Sequence, residues 1–159
     1  MVAPLASSTS VPQLIERVKA WFGVTLDPHP DRAVAFRLDD AIIGVLHHDG
    51  LLEVPVPPPI RTVLVDEGMA RAHPARVGSD WVARLVRTDE DLPAAVLLLR
   101  LSYLYRRLLR SQDAAAHRRI RIELREYGLP DALAALYETM LAKRDPGSSA
   151  LPGTPPSAT

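Results

Sequence analysis

The sequence predicts an α+β fold: a mainly antiparallel sheet of four or five strands flanked by helices, followed by a C-terminal helical extension. Three observations carry this. Ala41–Leu46 and Leu51–Val56 are apolar runs on either side of His47-His48-Asp49-Gly50, and two apolar runs around a short polar tip mark a β-hairpin. Apolar residues recur at helical spacing before the hairpin (Leu14, Ile15, Val18, Trp21, Phe22) and again after it, along Asp89–Arg110. From Arg100 the chain turns rich in leucine and arginine, with breaks near Ser111 and Gly128-Leu129-Pro130 that predict two further helices.

Taken in order, Ser10 and Gln13 form a capping box ahead of an amphipathic helix over Val11–Phe22, which Gly23 closes; the pair Trp21 and Phe22 is expected in the core. Val24–Leu26 reads as a short strand, Asp27–Asp31 as a loop and Ala33–Leu38 as a strand, so that with the hairpin the chain makes a meander. In the hairpin, Asp49-Gly50 supplies the positive φ of a tight primed turn, and the prolines after Val56 stop the second strand. Ile60–Glu67 is a short helix ending at Gly68, Met69–Ser79 a loop, and Trp81–Val86 a strand. Thr88 caps the long helix, with Asp89, Glu90 and Asp91 well placed against its dipole and Pro93 in its first turn. The segments are therefore a disordered N-terminus over 1–9, an α+β domain over 10–110, a helical extension over 111–144 and a disordered tail over 145–159.

Composition bounds the function. The 159 residues hold no cysteine, which removes disulfides, zinc thiolates and thiol nucleophiles. Formal charges balance overall, which disfavours a general nucleic-acid or membrane-surface binder. Locally, Arg100–Arg125 carries eight arginines against two acids, so an interaction or nucleic-acid-binding module using those helices is the alternative class. No window is long enough to span a membrane and the N-terminus lacks a signal peptide's features, so a cytoplasmic protein is expected. Leu129, Leu133, Leu136 and Met140 suit a homodimer surface on the C-terminal helices. Serine-nucleophile elbows and phosphate-cradling glycine loops are absent.

Ile42-Ile43-Gly44-Val45-Leu46-His47, Leu51-Leu52-Glu53-Val54, His73-Pro74, Asp80-Trp81-Val82, Asp89-Glu90-Asp91 and Leu101-Ser102-Tyr103 follow one another in an order and spacing that resembles the luciferase family domain. This small bacterial domain is similar to the core of the fungal luciferases. The resemblance runs from Val11 to Arg106. It implies a small-molecule ligand and, by analogy with fungal enzymes that oxygenate a hydroxylated pyrone with O₂, no metal or organic cofactor. His47 matches the last histidine of the family's His-x-His hairpin motif, His73 its His-Pro loop, and Trp81 the tryptophan opening the late strand. Val45 stands where the family has its first histidine.

A histidine titrating near neutrality can take a proton from a phenol or enol, which is what a cofactor-free oxygenase needs before O₂ attacks. The candidate roles are His47 as base, His73 as orienter and Arg37 as clamp on the resulting anion, with Trp81 and Asp49 in substrate binding. Asp49, if still extended, shares a face with His47. His47, Asp49 and His73 also make a two-histidine, one-carboxylate set open to a metal, although nothing in their spacing demands it.

Overall fold

The computed structural model describes residues 10–73 and 80–145; the terminal tails expected from composition, and Pro74 with the rest of the Met69–Ser79 loop, lie outside or partly outside that range. The chain divides into two compact units, residues 1–106 and 107–159, with the boundary inside a helix.

In the first unit, helix α1 (Ser10–Lys19) precedes strands β1 (Val24–His29), β2 (Ala33–Leu38), β3 (Ala41–Leu46) and β4 (Leu51–Pro55). Helix α2 (Pro58–Asp66), strands β5 (Arg71–Ala72) and β6 (Trp81–Leu85), a 3-10 turn (Asp89–Asp91) and helix α3 (Leu92–Arg110) follow. The sheet has six strands in the order β1-β2-β3-β4-β6-β5, every pair antiparallel. The expected α+β class and antiparallel sheet are present, with more strands than the four or five expected. One gain is the length of β1, which continues through Asp27 and Pro28 to His29. As an edge strand it tolerates a proline whose missing N–H faces away from the ladder. The other is β5, two exposed residues inside the expected loop.

Residue alternation gives the sheet two different faces. Phe36, Gly44, Leu46, Leu52, Val54 and Val82 share one, as the pairings Phe36–Gly44, Leu46–Leu52 and Val54–Val82 require. All are buried. This face lies under α3, so close that a Cβ at Gly44 would overlap the Leu99 side chain. The opposite face carries Ala33, Ala35 and Val45, with Ile42 and Trp81 packed on them.

Helix α1 stops at Lys19, before the aromatic pair, and that corrects one expectation. Trp21 is half-buried and meets Tyr103 edge-on, with ring centroids 5.5 Å apart, but Phe22 is 80% exposed. The turn that ends the helix takes Phe22 off the apolar stripe, and its carbonyl accepts from the Tyr103 hydroxyl at 2.8 Å. Helix α2 begins earlier than expected because Pro58 and Pro59 occupy its first turn, where a missing N–H costs least. The Thr88–Asp91 capping box is formed, and two backbone N–H groups, from Arg87 and Thr88, hold the Asp91 carboxyl below its ordinary range.

In the second unit, helices α4 (Ala114–Glu126) and α5 (Asp131–Arg144) match the two further helices expected. Leu133, assigned from the sequence to a dimer surface, is buried together with Tyr137 and Leu141, while Leu129, Leu136 and Met140 are half-buried. Asp145, assigned to the disordered tail, is tied to Arg121 at 2.8 Å and to the buried His117 at 3.0 Å.

The hairpin turn is not a primed turn. Of His48, Asp49 and Gly50 only Gly50 has positive φ, at +93°. His47 N–H donates to the Leu51 carbonyl at 2.9 Å and Gly50 N–H to the His47 carbonyl at 3.0 Å, which makes a three-residue loop closed by a left-handed glycine. A Cβ on Gly50 would also strike the Val86 carbonyl oxygen. Gly68 has φ of +70° but nothing within 4 Å of a Cβ. Gly68→Ala should therefore cost about 1 kcal/mol of conformational strain, and Gly50→Ala distinctly more. Urea denaturation of the two variants checks this; equal losses would remove the close approach at Gly50.

Candidate functional site

The loop length fixes which residues of the hairpin face each other. With His47 opposite Leu51, Val45 pairs with Glu53 and Leu46 with Leu52. Glu53 and His47 thereby share the face that bears Val45. A primed turn over Asp49-Gly50 would pair His48 with Leu51 and set Glu53 opposite Leu46, on the helix-covered face. The choice of turn places the acid.

Glu53 is the one charged residue in the run Leu51–Val56, and it is 9% exposed. Its two carboxylate oxygens take different partners: Oε1 is hydrogen-bonded by His47 Nε2 and Oε2 by His73 Nε2. His73 follows β5 directly, so the short edge strand is what delivers it. The result is a carboxylate bracketed by two imidazoles.

 In chain terms, His47 stands six residues before Glu53 and His73 twenty after it, so two rings 26 residues from each other bond the same carboxylate.

Two opposing effects set the state of Glu53. Burial acts to raise its pKa, but the hydrogen bonds from His47 and His73, joined by the charge of either ring when it is protonated, outweigh burial and hold it below the usual carboxylate range. Glu53 is therefore an anion and an acceptor, and each Nε2 that meets it carries the proton. That leaves the lone pair of a neutral imidazole on Nδ1. The two rings differ in access: the His47 side chain is 24% exposed and that of His73 is 8% exposed. His47 is the ring that faces solvent, and His73 the one enclosed.

The other candidates from the sequence fall as follows. Trp81 is half-buried on the same face, packed on Ala33, Ala35 and Val45. Val45, in the place of the family's first histidine, is buried opposite Glu53. Asp49 is exposed and its side chain accepts from Leu51 N–H at 3.0 Å, so it serves the turn and does not join the two histidines. Arg37 is ion-paired to Asp27 on the neighbouring strand at 2.7 Å. Val34 pairs with Leu46 and Arg37 with Ile42, which puts Arg37 well down β2 from the histidines, on the order of 10 Å away along the strand. Of the set, the fold brings together His47 and His73, with Trp81 beside them, and it adds Glu53, which the residue-type reasoning did not nominate. The available signal was a lone acid in an otherwise apolar strand, since a buried carboxylate must have partners.

Among the described residues no group of three or more His, Asp or Glu side chains has the arrangement needed to hold a metal ion. No helix among them is long and apolar enough to cross a membrane. The arginines of the alternative class are largely engaged: Arg100 lies over the rings of Trp21 and Tyr103, and Arg106 over Tyr105. Arg121 is bonded to Glu138 and Asp145, and Arg144 donates to the Leu109 carbonyl.

Residues 40–102 match the family model of the Luciferase domain. The matched segment, about two-fifths of the chain, contains His47, Glu53, His73 and Trp81; it is narrower than the Val11–Arg106 span expected, and leaves out α1, β1, Arg37 and the C-terminal helices. Over that segment the luciferase-family resemblance is borne out. No curated protein and no solved structure gives a significant match to the chain.

The depressed Glu53 pKa has a stability consequence with a definite sign. A carboxylate whose folded pKa lies below its unfolded value, about 4.3, contributes stability fully above that value and loses it as pH falls through the folded pKa. Glu53→Gln should remove this part of the acid dependence. Unfolding free energies of both proteins, followed from pH 7 down into the acid range, check it; parallel curves would mean that Glu53 is not held as an anion.

Proposed function

We propose that the chain carries a general-base site for a weakly acidic small molecule, an aromatic or enolic alcohol, and that it acts as a cofactor-independent oxygenase-like enzyme. The observation that carries this reading is the Glu53 carboxylate bonded to both His47 and His73. With its Nε2–H directed at Glu53, His47 offers Nδ1 to a substrate hydroxyl. The ionised carboxylate stabilises the imidazolium that forms when the proton arrives, the role a buried acid has in a histidine-based triad. His73, the enclosed ring, holds the second carboxylate oxygen and so keeps the first aimed at His47. The electron pair left on the substrate oxygen is shared with its ring, where O₂ adds to carbon to give a peroxide anion; the proton on His47 is available to neutralise it.

The family match supports a luciferase-like domain here, and its analogy with enzymes of hydroxylated pyrones supports the substrate class. The test is oxygen uptake by the full chain with a panel of hydroxylated pyrones and electron-rich phenols. His47→Gln and Glu53→Gln should each slow turnover by about 10²–10⁴-fold, the usual worth of a positioned base. His73→Gln should slow it less and shift the pH profile, since it acts through Glu53. Uptake that is unaffected by His47→Gln would sink the assignment.

A further inference from the structure

The proposed base generates an anion, and Arg37, the residue nominated to hold it, is committed to Asp27. The register of the sheet points elsewhere. Glu53 on β4 is opposite Ala83 on β6, and Ala83 is opposite Arg71 on β5. Residues paired across antiparallel strands point to the same face, so one row of the sheet reads Val45, Glu53, Ala83, Arg71, all on the site's face. Arg71 sits two strand spacings, about 10 Å, from Glu53. The residue between them is an alanine, whose own side chain is too short to part them. Arg71 is also two residues before His73, at the start of the two-residue strand that His73 follows.

The charge environment sharpens the point. Arg71 is exposed and makes no hydrogen bond or ion pair among the described residues, whereas Arg84 on β6 donates to the Met69 carbonyl at 2.9 Å. An arginine reaches several ångströms from its Cα, and a six-membered ring with one substituent covers the rest of the gap. A ligand reaching across this row between its exposed ends would thus have His47, backed by Glu53, toward one end and the Arg71 guanidinium toward the other.

We propose that Arg71 is the anion-holding and specificity-determining residue of this site, selecting flat weak acids whose oxygen becomes negative after proton loss. Resting on the general-base reading, it fixes the ligand class further. The acid arrives neutral, because a fixed carboxylate at Glu53 repels an anion on approach. After proton transfer the ligand's negative charge is delocalised toward Arg71. Carboxylates and phosphates, charged before they bind, are disfavoured.

The experiment titrates para-nitrophenol into the full chain at a pH where the free probe is mostly neutral, with para-nitroanisole, which cannot ionise, in parallel. Absorption of the phenolate reports ionisation on binding. The wild-type chain should bind the phenol with growth of the phenolate band. Arg71→Met should weaken that binding about 10- to 100-fold, the worth of a charge-assisted hydrogen bond, and leave para-nitroanisole binding unchanged, which also shows that the site is intact. Glu53→Gln should suppress the phenolate band. Equal phenolate binding by wild type and Arg71→Met overturns the assignment of Arg71 and leaves the base standing. Arg71-dependent binding with a phenolate band that survives Glu53→Gln overturns the base and leaves Arg71 standing. Absence of binding of both probes to the wild-type chain overturns both.

Discussion

A carboxylate inside a sheet must either find donors or give up its charge, and Glu53 is held by that constraint. Burial without partners would cost several kcal/mol for an ionised group, and the acid would take a proton instead. Two imidazole N–H groups reverse the balance. The rest of the first unit can be read as what is needed to bring them there: a hairpin loop of the right length for His47, and an edge strand on the far side of β6 for His73. The interaction joins β3, β4 and the end of β5, three separate stretches of chain.

The sheet divides its labour between faces. One is apolar and closed by α3, with Gly44 admitting Leu99 against the backbone. The other has small side chains at Ala33, Ala35, Val45 and Ala83, among which the polar cluster and Trp81 stand. Val45 is informative in this setting. In the family's pattern that position bears a histidine, and here it is a buried valine opposite Glu53, so the carboxylate is flanked by a hydrocarbon on one side and by His47 on the next residue of that face.

Much of this was legible in residue order. Periodicity located the long helix, the two C-terminal helices and the hairpin, because those signals rest on burial of a stripe or a run. Where the sequence reading went astray, the decisive term was local geometry that composition does not encode. Asp49-Gly50 has the chemistry of a primed turn, yet of His48, Asp49 and Gly50 only Gly50 takes a positive φ, a shift of one residue that moves Glu53 between faces. Phe22 continues a helical stripe on paper but follows a helix that has already ended at Lys19. Arg37 has the right charge, and a neighbouring strand brings Asp27 to it. The two-residue β5 has no pattern to detect, and it carries Arg71 and leads directly into His73.

That strand is paired with β6 at Arg71–Ala83 and Ala72–Val82 and, among the described residues, has no strand on its outer side. So short an edge belongs to the part of a sheet that opens first, at a free energy far below global unfolding. Its opening would strip Glu53 of one donor, so the bond from His73 works as a latch: the polar cluster holds the strand closed as much as the strand presents the cluster. Acid strong enough to protonate Glu53 removes the charge that this latch closes on.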